Sequence, residues 1–133
     1  MVAAGKKAAE TRATGIYSIM DHFEGKTDNI KEIAEKIQEF VIGLDPSIEE
    51  VAKKFYIAYK TSQNIVCMEI KKQKILLFLK LDPRAVKSKP SIFRDVTNIG
   101  HSGTGDVELS ISTKEDFDLS KPLIEMTYEN IGG

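Results

Sequence analysis

A chain of 133 residues with 41% hydrophobic and 29% charged residues has the composition of one globular domain, which excludes fibrous and disordered classes. We expect a disordered tail or linker at residues 1–15 and a single α+β domain at residues 16–133. The longest apolar run, Ile75 to Leu79, is far shorter than the roughly 18 residues of a membrane span, so no membrane partner is expected. The one cysteine, Cys67, lies in an apolar run and indicates a buried thiol in a reducing compartment, which favours a cytoplasmic location.

Two helices are predicted in the first third of the chain. The segment from Ile16 to Lys26 has closely spaced apolar residues and predicts either a short helix or an irregular arm packed on the core. From Ile30 to Val41 apolar residues recur at three- and four-residue spacing, which predicts an amphipathic helix. Asp28 is placed to cap its N-terminus and Gly43 to end it.

The middle of the chain alternates in the way that is typical of β-strands. The stretches 55–60, 64–70 and 73–81, and a later one at 107–112, predict consecutive antiparallel strands. The segment from Ser47 to Lys54 fits either a helix or a strand, because it contains a capping box but is short. One face of the third strand is wholly apolar and the other is mixed, so we expect helices on the first face and water on the second.

The last predicted element is a helix. Apolar residues return at helical spacing after Leu119, with Ser120 as the N-cap and Pro122 in the first turn. Proline has no backbone N–H, but in the first turn this group would have no partner within the helix. The predicted fold class is therefore α+β, an antiparallel sheet of four to five strands with N-terminal and C-terminal helices packed on one face.

A glycine-rich loop precedes the strand at 107–112. Successive backbone N–H groups in such a loop can bind an anion, but neither a Lys-Ser/Thr signature nor a helix follows this loop. A tight turn that uses glycine for positive φ is the alternative. The residues of a possible loop site are His101, Gly103, Gly105 and Asp106.

Metal and catalytic signatures are weak in this chain. A lone histidine such as His101 has no metal-site spacing, and a structural role for it is favoured. The run Glu69-Ile70-Lys71 matches part of a restriction-type nuclease motif, but residues 55–68 contain no acid to complete it. We therefore predict no catalytic residue, no metal ligand and no cofactor.

The net charge of −1 conceals an uneven distribution of charge. From Ile70 to Arg94 eight basic residues accompany one acid, whereas from Asp95 onward two basic residues accompany eight acids. Such a basic segment favours DNA or RNA bound through phosphates. The alternative is that the lysines serve solubility and that the acidic C-terminal third neutralises them in space. The predicted contact residues are Lys71, Lys72, Lys74, Arg84, Lys87, Lys89 and Arg94.

The run KKFYIAYKTSQNIVCMEIKKQKILLFLKLDP and the later stretches RDVTNIGHSGTGDVELSI and LIEMTYENI carry a family resemblance. Over about residues 16–131 the chain resembles the small domain family often labelled "predicted transport protein", whose members occur alone or appended to NucS-like and restriction-type endonucleases. More remotely, the chain resembles the MmcQ/YjbR "double wing" fold. The resemblance implies a DNA-associated accessory module without established catalytic residues.

Three functional hypotheses follow from these observations. The first is a non-enzymatic accessory module that binds nucleic acid or a larger protein partner through the basic segment. The second is a small-molecule-binding protein or enzyme whose pocket lies at the glycine loop and uses His101, Asp106 and Arg94. The third is a scaffold that forms a homodimer.

Overall fold

The computed structural model describes residues 17–101 and 103–131, so the tail predicted at residues 1–15 lies outside the described residues. The helices are α1 (Ile19–Phe23), α2 (Asp28–Ile42) and α3 (Lys114–Ile131). The strands are β1 (Glu49–Ala52), β2 (Ile57–Lys60), β3 (Asn64–Ile70), β4 (Ile75–Leu79), β5 (Phe93–Asp95) and β6 (Val107–Ile111). A short 3-10 turn, Pro83–Ala85, follows β4.

The strands form one antiparallel sheet of six strands in the order β1-β2-β3-β4-β6-β5. The α+β class is confirmed, but the prediction of four to five strands is too low. The segment from Ser47 to Lys54 contains strand β1, which pairs with β2 from Glu49 opposite Lys60. Strand β5 has only three residues, which is too short for alternation to be recognised in the sequence.

Helices α2 and α3 pack on one face of the sheet, as predicted. Strand β4 contributes Ile75, Leu77 and Leu79 to this core, and Ile37 of α2 and Ile124 of α3 belong to the same buried cluster. Burying one such side chain contributes about 1.5–3 kcal/mol, so the apolar periodicity of these elements supplies the main driving force for folding.

The helix ends differ from the sequence prediction in two places. Thr27, not Asp28, caps α2, because its Oγ1 accepts the N–H of Ile30. Helix α3 begins at Lys114 and not after Ser120, so Pro122 lies inside the helix. The earlier start is stabilised by reciprocal hydrogen bonds, in which the Asp116 carboxylate accepts the N–H of Thr113 and the Thr113 hydroxyl accepts the N–H of Asp116.

The glycine loop, residues 96–101 and 103–106, covers the middle of the opposite face of the sheet, so the expectation that this face meets water is wrong there. Phe78 of β4 and Cys67 of β3 are buried beneath the loop. A Cβ on Gly103 would lie 2.7 Å from Phe78 Cδ2 and 2.9 Å from Cys67 Cβ, so only glycine allows the loop to lie this close. The thiol of Cys67 accepts the N–H of Thr104, and burial raises its pKa.

The glycines of this loop have different roles. Gly105 has a φ of +129°, and a Cβ there would lie 2.3 Å from the carbonyl oxygen of Leu79. Glycine is therefore required at this position both for its conformation and for its close approach to β4. Gly100 has no positive φ, and a Cβ there would meet no atom within 4 Å.

A buried polar network joins α2 to the β1–β2 hairpin. Tyr59 is fully buried, and its hydroxyl donates to Glu50 Oε2 at 2.8 Å. Gln38 Nε2 of α2 donates to the same carboxylate oxygen at 2.6 Å. Burial and the adjacent Glu50 charge raise the pKa of Tyr59 well above its ordinary value of 10.0.

We expect Gly105→Ala to destabilise the protein by about 3 kcal/mol, or roughly 10 °C in Tm, because the alanine would strain the backbone and press on Leu79. The matched control is Gly100→Ala, which should leave Tm within about 2 °C of the wild-type value. Differential scanning calorimetry of both variants checks this. Equal Tm values for the two variants would mean that the loop does not pack on the sheet.

We expect Tyr59→Phe to lower the free energy of unfolding at pH 7 by about 1.5–3 kcal/mol, because a buried hydrogen bond to a carboxylate is lost. The raised pKa of Tyr59 in the folded state contributes stability that is present below pH 10.0 and is lost as the unfolded chain ionises above that pH. The difference between wild type and variant should therefore shrink as the pH rises above 10.0. Urea unfolding at several pH values measures it, and a constant difference would contradict the prediction.

Candidate functional site

The predicted basic contact residues lie in different parts of the sheet. Lys71, Lys72 and Lys74 lie in the turn between β3 and β4, whereas Arg84 follows the far end of β4. From Lys74 to Lys80 the chain advances six residues along a strand, which corresponds to about 20 Å. The structure therefore brings three of the predicted residues together and separates Arg84 from them.

Several of the predicted basic residues are engaged with neighbouring groups. Lys71 lies 3.0 Å from Glu69, and Arg94, on strand β5, lies 3.6 Å from Glu108. Arg84 donates through Nε and Nη2 to both carboxylate oxygens of Asp82, which lowers the pKa of Asp82. Two further predicted residues, Lys87 and Lys89, lie in the connection that leads to β5. Lys89 donates to the Val86 carbonyl at 2.7 Å, and Lys87 is exposed. No described carboxylate lies within ion-pair distance of Lys72 or Lys74.

Two further lysines lie at the same end of the sheet as the β3–β4 turn. Lys53 and Lys54 occupy the β1–β2 turn, and the pairing of Ile57 with Met68 places that turn level with the end of β3. Because β2 and β3 are neighbours, the two turns are two strand spacings apart, about 10 Å. We call this surface the lysine end. It comprises Lys53, Lys54, Lys71, Lys72 and Lys74, all of them exposed.

The sequence analysis missed Lys53 and Lys54, although a signal for them existed. Alternate turns of an antiparallel meander lie at the same end of the sheet. Once the strands at 55–60, 64–70 and 73–81 are predicted, the lysine pairs that precede the first and follow the second must therefore come together.

Both turns of the lysine end are held at their bases by hydrogen bonds. The N–H of Lys71 donates to the Lys74 carbonyl at 2.9 Å, and the N–H of Lys53 donates to the Tyr56 carbonyl at 2.8 Å. His22 of α1 donates from Nε2 to the Lys53 carbonyl at 2.7 Å and so ties the β1–β2 turn to the helix. These contacts hold the backbone of both turns while the lysine side chains extend into solvent.

The residues of the possible loop site do not form one pocket. His101 lies flat on Phe78, with 4.5 Å between ring centroids and 2° between ring planes, and Gly103 is buried against Phe78. The Nδ1 atom of His101 is buried and has no hydrogen-bond partner among the described residues. Gly105 and Asp106 instead line an open groove at the end of the sheet opposite to the lysine end.

This groove has a volume of about 770 Å³ and mixed charge. Lys80 and Arg84 contribute positive charge, and Asp82, Asp95 and Asp106 contribute negative charge. The hydroxyl and N–H of Thr97 donate to Asp95 and lower its pKa. Within residues 17–101 and 103–131 no cluster of three His, Cys, Asp or Glu residues could hold a metal ion.

None of the helices in the described part of the chain is long and apolar enough to span a membrane.

Comparison with other proteins gives a family and one distant relative. No solved structure matches the chain significantly. An uncharacterized protein of Haemophilus influenzae is 30% identical over 115 residues, which cover 86% of this chain and 38% of the relative. The model of a domain of unknown function, DUF5655, matches residues 19–131, and the chain therefore belongs to the DUF5655 family.

Proposed function

We propose that this domain is a non-enzymatic accessory module that binds nucleic acid through the lysine end. The observation that carries the proposal is the convergence of five exposed lysines on two adjacent turns. Among these five, Lys71 alone forms an ion pair with a described carboxylate, that of Glu69. Such a surface attracts the phosphate backbone and releases its condensed counterions on binding, without reading the bases.

The position of three of the five lysines argues against a role in preventing edge-to-edge aggregation, whereas Lys53 and Lys54 directly follow the edge strand β1. Lysines serve that purpose on the outer strands of a sheet, where unpaired backbone groups would accept another strand. Lys71, Lys72 and Lys74 instead join β3 to β4, which are paired on both sides within the sheet. Their clustering there calls for an anionic partner more than for protection of an edge.

An accessory role agrees with the size of the Haemophilus relative. The matched region makes up 38% of that protein, so there it is one part of a longer chain. A small module that adds affinity for nucleic acid increases the effective concentration of a linked domain near its substrate. The resemblance to modules appended to endonucleases is consistent with this role.

We expect single-stranded DNA to bind with an affinity that falls about 50-fold between 50 and 200 mM salt, if four lysines contact phosphates. The double variant Lys72→Glu/Lys74→Glu should weaken binding at least 10-fold and should at least halve the dependence on salt. Fluorescence anisotropy of a labelled 20-nucleotide oligomer measures both quantities.

The matched control is Lys80→Glu/Lys87→Glu, which makes the same change in net charge where the chain leaves the far end of β4. Both of these lysines are exposed. We expect this control to bind like the wild type, apart from a small long-range effect. Equal losses in the two double variants would show that net charge alone matters. If the wild type at tens of micromolar binds neither this oligomer nor the duplex of the same length, the proposed function is excluded.

A further inference from the structure

One exposed aromatic ring lies within the lysine end. Phe55 occupies the β1–β2 turn between Lys54 and Tyr56, and 56% of its surface is exposed. Its neighbour Tyr56 packs against the cluster beneath the glycine loop, whereas Phe55 is not a buried or partly buried member of either apolar cluster. The core therefore leaves more than half of this large apolar residue exposed.

The surroundings of Phe55 are cationic and ordered. The Lys54 ammonium lies 5.2 Å from the centroid of the Phe55 ring. The turn that carries the ring is closed by the hydrogen bond from Lys53 to Tyr56 and is held to α1 by His22. The ring is thus presented to solvent from an anchored backbone, next to the lysines of the neighbouring β3–β4 turn.

We propose that the partner of the lysine end is single-stranded nucleic acid, and that Phe55 stacks on one of its bases while the lysines contact the flanking phosphates. This inference rests on the proposed function, because it assigns the strand type to the same surface. A positively charged surface with an exposed aromatic side chain is the arrangement by which proteins bind single strands without sequence preference.

The exposed ring favours a single strand over a duplex as the partner of the lysine end. In a duplex the faces of the bases are already stacked on one another and only their edges are open, so a protruding phenyl ring finds no partner there. In a single strand each base can turn one face to Phe55. The lysines alone would serve either strand type, whereas the ring favours the single strand.

The test compares Phe55→Ala with the wild type on two probes of equal length and charge, an oligothymidylate and an abasic oligonucleotide. We expect Phe55→Ala to weaken binding of the oligothymidylate by about 5- to 150-fold. Binding of the abasic probe should change less than twofold, and the salt dependence should stay the same because no phosphate contact is lost. Phe55→Tyr keeps an aromatic face and should bind like the wild type.

A direct reporter is available because the chain contains no tryptophan. Phe55→Trp places a single indole at the proposed contact, and we expect the oligothymidylate to quench its fluorescence and the abasic probe to leave it nearly unchanged. The control is Leu119→Trp on α3, where the parent side chain is 45% exposed, and its fluorescence should not respond to either probe.

The outcomes distinguish this inference from the proposed function. If Phe55→Ala binds the oligothymidylate as the wild type does, while Lys72→Glu/Lys74→Glu still loses binding, stacking is excluded and backbone binding stands. If duplex DNA binds more tightly than the single strand, the assigned strand type is wrong. If the indole responds to vesicles of anionic phospholipid and not to oligonucleotides, the surface binds membranes, and both proposals fail.

Discussion

The structure depends on the burial of strand β4 on both of its faces. On one side Leu77 and its neighbours face helices α2 and α3, and on the other Phe78 lies beneath the glycine loop. All five residues of β4 are buried, so neither face of the strand can carry a charged side chain without a large desolvation cost. The charges of this part of the chain are therefore placed in the connections that precede and follow the strand.

The burial of the central strands also explains how the lysine end is held in place. Strands β2, β3 and β4 are consecutive neighbours, so the turns that precede β2 and follow β3 lie at one end of the sheet. The backbone of both turns continues directly into strands that are anchored in the core. Charged side chains on such turns stay exposed because the core leaves them no other position, and their spacing follows from the distance between strands.

Both histidines make structural contacts. His22 supports the turn that carries Lys53 and Phe55, and the ring of His101 lies against Phe78. Gly103 and Gly105 are required for the close approach of the loop to β4. These residue types often indicate chemistry at a loop, and here each of them makes a structural contact. The proposed function therefore rests on exposed lysines and one exposed ring whose side chains the core does not use.

The sequence alone determined the α+β class, helix α2, the central strands and the apolar face that receives the helices, because each depends on local periodicity. It predicted a basic surface but included Arg84, which the length of β4 places at the opposite end, and it omitted Lys53 and Lys54. Only the tertiary structure decided where β1, β5 and β6 join the sheet and which face the loop covers. Strand order and loop packing are contacts between residues distant in the chain, and no local pattern encodes them.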